Sequence, residues 1–163
     1  MGPLFPTGRR PDLRQLSEIQ SEKKTAMDMK PIIVMAGTPV DTQMGMDCLS
    51  TQGLPGVFCP ISEDPNQQTA FQISPTEEKI DTVVSLLCAA QREHGCEKAF
   101  IYCNSLSGAL DFQFVARETG LKIVTPLDVY RLLAPKYHSL AVIAANAQGT
   151  AGIERTLLSA NPD

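Results

Sequence analysis

From residue 30 onward, short apolar runs alternate with helical patterns. The run 31–36, carrying Ile32, Ile33 and Val34, predicts a first strand. A polar loop follows over 38–43, then a helix over 44–51 that Gly53 would stop. The run 57–61 predicts a second strand, and 62–73 is polar, rich in Asn and Gln, without a clear period. The next helix carries the most signals. Ser74 reads as an N-cap, Pro75 as the first helical residue and Glu77 as the partner of a capping box. Ile80, Val83, Val84, Leu87 and Cys88 then fall on one face, and Gly95 reads as the stop. A third strand is expected over 99–102, a helix over 106–118 stopped by Gly120, and a fourth strand over 122–124. Thr125-Pro126-Leu127-Asp128 opens another helix with cap chemistry, and Pro135 closes it. A fifth strand over 139–145, a loop at 146–150 and a last helix near 153–158 complete the pattern.

Strands alternating with helices imply right-handed crossovers and an α/β, doubly wound, mostly parallel sheet of about five strands with helices on both faces. The expected order is 2-1-3-4-5. Strands apolar on both faces suit such a sheet, because helices cover both sides.

Residues 1–29 differ from the rest. They contain Arg9-Arg10 and Lys23-Lys24 with several Gly, Pro and Ser and little apolar periodicity, so they read as a disordered extension with a short helix over 13–21. Met27 and Met29 are each a plausible start for the remaining single α/β lobe, 30–163. Overall, 43% hydrophobic and 20% charged residues describe an ordinary globular chain. A net charge of −4 gives no global attraction for nucleic acid, and no apolar run approaches a membrane span. The five cysteines include no C-x-x-C pair, so neither a disulfide framework nor a zinc site is expected. Reduced thiols in a cytoplasmic protein fit better.

Parallel strands end on one edge of a sheet, and ligands of open α/β sheets bind there. The third strand stops abruptly at Cys103-Asn104-Ser105, a thiol followed by two small hydrogen-bonding residues. The same edge would gather Gly37, Thr38, Asp41 and Thr42, then Ser62, Thr125, Asn146, Gly149 and Thr150. Such a rim suits a small carboxylate, since backbone N–H groups at helix starts favour anions. Each residue also has a plainer role. Free cysteine is commonly a small core residue. Asp41 serves equally well as an exposed loop residue or a cap, and Ser and Thr before helices are usually caps. No dinucleotide or mononucleotide glycine motif and no nucleophile elbow occurs.

Two of these motifs resemble those of the aspartate/glutamate racemase family, most closely the glutamate racemases. Asp41-Thr42-Gln43-Met44-Gly45 resembles the Asp-Ser-Gly-x-Gly signature near the family's start. Tyr102-Cys103-Asn104-Ser105 resembles its Cys-Asn-Thr motif at a strand end. Gln43 and Met46 stand where the family has glycine, and Ser105 where it has Thr. The resemblance implies cofactor-independent racemisation of an acidic amino acid, glutamate favoured over aspartate, with no metal. Cys103 would be one acid/base and Asp41 would assist the proton transfers. Thr42, Asn104, Ser105 and Thr150 would hold substrate. The family has two similar lobes, and the second carries a second cysteine in a Gly-Cys-Thr-His setting that this chain lacks. The chain is therefore expected to be the first lobe alone. A homodimer or a separate second lobe would then supply the opposite face. The competing reading is a lobe that binds carboxylates, or partners another chain, without turnover.

Overall fold

The computed structural model describes residues 29–144 and 147–161. Residues 1–28, including the helix expected over 13–21, lie outside the described residues, as do Ala145 and Asn146. Ile32–Ala36 forms β1, Gly56–Pro60 β2, Lys98–Ile101 β3 and Lys122–Val124 β4. They make one sheet in the order β2-β1-β3-β4, and every pair is parallel. The fold is α/β, as the alternating pattern predicts, with four strands rather than five. Residues 139–144, the described part of the expected fifth strand, pair with nothing in the sheet. β propensity says how a segment pairs once it has a neighbour, and no ladder forms beyond β4.

Alternation along β1 sorts the two faces. Ile33 and Met35 point to one side, where they meet Val83 and Leu87 of helix α3 (Thr76–His94) and Val115 of helix α5 (Phe112–Thr119) in a closed apolar core. Val34 points to the other side, toward helix α1 (Pro39–Thr51). Helices therefore cover both faces. Over β3 and β4 the α1 side is thinner, and Val124 is 48% exposed, against the expectation of a strand apolar and buried on both faces. The chain continues through α6 (Pro126–Leu133) and a 3-10 turn (Ala134–Lys136) to α7 (Ala147–Ala160), which packs on α6 and on α4 (Asn104–Ala109). Among the described residues no helix is long and apolar enough to cross a membrane.

The helix boundaries follow caps more closely than apolar periods. Helix α1 starts at Pro39, five residues before the expected 44, because Thr38 caps it and accepts from the Asp41 N–H. Asp64 caps helix α2 (Pro65–Ile73), accepting from the Asn66 and Gln67 N–H groups, in the stretch without a readable period. Ser74 does not cap α3. It closes α2 instead, its hydroxyl donating to the Phe71 carbonyl, and Pro75 holds the N-cap place without a side-chain bond. The single helix expected over 106–118 is two helices, broken at Leu110-Asp111. The Asp111 carboxylate accepts from the Gln113 and Phe114 N–H groups and starts a new one. Gly95 and Gly120 end α3 and α5 with φ of 67° and 69°, a conformation that only glycine adopts without cost. Thr125 and Asp128 form the reciprocal box that opens α6.

Candidate functional site

β3 ends at Ile101, and its alternation continues through the next two residues. Tyr102 faces α1, while Cys103 turns to the opposite side and packs against the main core. Cys103 is also the N-cap of α4, and the Ser107 hydroxyl donates to its carbonyl at 2.6 Å. These two roles hold the thiol at the sheet's carboxyl edge, half-buried and open to a cleft. Its sulfur lies 3.5 Å from the Ser105 hydroxyl.

That cleft has a volume of about 620 Å³, and Asp41, Tyr102, Cys103, Asn104, Ser105 and Tyr130 are among its walls. A smaller one of about 180 Å³ shares Asp41, Cys103 and Ser105 and adds Lys79. The three shared side chains thus stand between two openings, with an ammonium group on the second. The Asp41 carboxylate is exposed and accepts from the Thr38 hydroxyl at 2.8 Å through one oxygen. Asn104 supplies an anomaly. Its Oδ1 is buried and has no hydrogen-bond partner, an expensive arrangement for an isolated protein. The residue lines the cleft, but this oxygen is closed to solvent, and a ligand's donor meets it only after the side chain turns.

Glycine makes this geometry reachable. A Cβ at Gly45 would stand 2.6 Å from the Val34 side chain and 2.9 Å from the Tyr102 Cβ. Only a residue without a side chain lets α1 lie this close to β1 and Tyr102, which brings Asp41 to the cleft. The Tyr102 ring meets Phe100 edge to face at 5.6 Å. Burial pushes the Tyr102 hydroxyl above its usual range, and the neighbouring Cys48 thiol and the Asp41 carboxylate add to the shift.

Cys103, Asn104, Ser105 and Asp41 therefore meet at one cleft. Two other expected residues do not. Thr42 is fully buried and its hydroxyl donates to the Thr38 carbonyl at 2.8 Å, because the early start of α1 turns it inward. Thr150 lies half-buried in the first turns of α7 rather than in a loop, and its neighbour Gly149 is the one on the cleft wall. Tyr102, Tyr130 and Lys79 line the two openings without having been expected as site residues. Tyr102 had a signal in its place beside Cys103, whereas Lys79 and Tyr130 arrive through tertiary packing of helices whose polar positions look like solvent faces. Among the described residues no group of three His, Cys, Asp or Glu side chains could hold a metal ion. Comparison with protein-family models, curated proteins and solved structures finds no match to this chain.

Proposed function

We propose that this cleft exchanges the α-proton of an acidic amino acid, glutamate in preference to aspartate, as a cofactor-independent racemase lobe. The reading joins the family resemblance of the two motifs to one observation. The Cys103 thiol opens into a cleft lined also by Asp41, Ser105 and Asn104. In the proposed step the thiolate of Cys103 takes the α-proton and becomes a thiol. The C–H electron pair stays on the substrate and delocalises into its carboxylate. Asn104, its side chain turned so that the carbonyl meets the cleft, accepts from the substrate ammonium. Ser105 offsets the charge that grows on the carboxylate, the largest contribution such sites make, and the Lys79 ammonium adds its field from the neighbouring opening. Asp41 assists the transfer. Return of the proton from the same sulfur restores the original hand. Inversion requires an acid on the other face, from a second copy or a second lobe. The five free thiols suit a reducing cytoplasm.

The test is solvent deuterium incorporation at the α-carbon of L- and D-glutamate and aspartate, followed by proton NMR. Exchange is expected, fastest with glutamate, and Cys103→Ala is expected to lower it by about 10²-fold or more. Exchange that survives Cys103→Ala, or none at all with either acid, overturns the catalytic reading. Saturable binding without exchange would leave a carboxylate-binding lobe in its place.

A further inference from the structure

Residues 138–144 cross from the 3-10 turn toward α7 without regular structure. Among the described residues, no backbone hydrogen bond involves any of them. Yet Ser139-Leu140-Ala141-Val142-Ile143-Ala144 is apolar and β-prone, and Ile143 is 98% exposed, with Leu140 and Val142 exposed as well. An open strand-like segment of this kind is a template for pairing. The sheet's own edges are guarded against it. β4 has only three residues and begins with Lys122, while β2 follows Pro55 and ends in Pro60, which has no N–H to offer.

We propose that residues 139–144 form the contact strand of a symmetric homodimer, pairing antiparallel with the same segment of a second copy. A two-fold contact uses one patch on both partners, so the patch must complement itself. This one does. Its unpaired N–H and C=O groups satisfy those of an antiparallel copy, and its apolar side chains meet their own kind across the ribbon. No Asp, Glu, Lys or Arg occurs between Lys136 and Glu154, so the ribbon itself sets no fixed like charges side by side, with His138 the one titratable group at its start. The exposed Val129 of α6 lines the same cleft as Ile143 and extends the apolar surface beside the ribbon. The partner strand would then lie at the mouth of the Cys103 cleft. The inference stands on the backbone and side chains of this segment and not on the racemase reading.

Sedimentation equilibrium of the full chain tests it, with amide hydrogen exchange at two concentrations. A dimer is expected below roughly 100 µM, with the amides of residues 140–143 protected more as concentration rises. Val142→Pro removes a donor that makes no bond within the monomer. Ile143→Lys sets two like charges in the ribbon at a position the monomer leaves in solvent. Each should weaken dimerisation about tenfold or more with the far-UV circular dichroism unchanged. A chain that stays monomeric at about 100 µM overturns the proposal. So does a dimer whose dissociation constant neither substitution moves.

Discussion

At the scale of single residues, the site contains one group whose cost and use separate cleanly. The buried Asn104 Oδ1 has no partner, and removing it loses no hydrogen bond. Asn104→Ala should therefore leave stability unchanged or raise it by up to about 1 kcal/mol, while weakening amino-acid binding. Urea titration beside the exchange assay checks both halves, and a loss of more than about 1 kcal/mol would show that the carbonyl holds the fold instead. The thiols separate in the same way. Cys103 opens to the cleft, whereas burial, with Cys96 nearby, pushes the Cys59 thiol up to about 11. Iodoacetamide at mild pH, mapped by mass spectrometry, should label Cys103 and spare Cys59 in the folded chain. Protection of Cys103 would remove the first step of the proposed chemistry. Cys103, Asn104 and Ser105 were legible because polarity changes sharply where an apolar strand stops. Thr42 was misjudged because its neighbour Asp41 does reach the cleft. One residue along a helix is a turn of about 100°, enough to send a hydroxyl from the rim into the interior.

At the scale of elements, the same four-residue pattern was read once and missed once. Thr125-Pro126-Leu127-Asp128 and Thr38-Pro39-Val40-Asp41 both place a capping Thr before a first-turn Pro, with an acid three residues after the cap. In both, the acid's side chain accepts from the threonine hydroxyl. The Thr125 pattern opens α6 before an apolar face. The Thr38 pattern opens α1 through Asp41, Thr42 and Gln43, whose polarity resembles a loop. Helix α2 was invisible for a related reason. None of its residues is buried, so only its Asp64-Pro65 cap marked it. The break at Asp111 is a further case where a cap outweighs apolar spacing, and Asp111→Ala should cost about 1 kcal/mol, read from chemical denaturation. Gly45→Ala tests how α1 seats the site. A Cβ there meets the Val34 side chain and the Tyr102 Cβ, neither of them a flexible tip, so α1 must shift against β1 and the residue that follows β3. The expected cost is about 1–3 kcal/mol, together with a fall in exchange rate beyond what unfolding explains. Wild-type stability in that variant would mean that the helix yields freely and does not fix Asp41.

For the whole molecule, the sheet order was legible because crossover handedness leaves few arrangements, and 2-1-3-4 is the expected order with its last strand missing. The strand count was not legible, since a strand exists only by its neighbour, and residues 139–144 have the composition without the ladder. The buried thiols give the folded chain a further property that spans all its layers. In the unfolded chain Cys59 ionises near the ordinary 9.0, but in the fold it holds its proton to about 11, because burial disfavours the thiolate and Cys96 adds to this. Cys96 and Tyr102 shift in the same direction, burial again coming first. A raised acid binds its proton more tightly in the fold, so its contribution is fully present below the unfolded value. It is lost as pH climbs through the folded one, because the unfolded chain gains from ionising first. For Cys59 that window runs from 9.0 to about 11, and the full difference is worth roughly 2–3 kcal/mol. Stability measured by urea titration should therefore be flat on this account up to about pH 9 and fall steeply above it. Cys59→Ala should lower stability at neutral pH through the cavity it leaves, yet make the alkaline fall shallower, because one proton difference between the folded and unfolded chain is gone. An equally steep fall in that variant would mean that Cys59 is hydrated in the fold and that the core between β2 and α3 is looser than its packing implies.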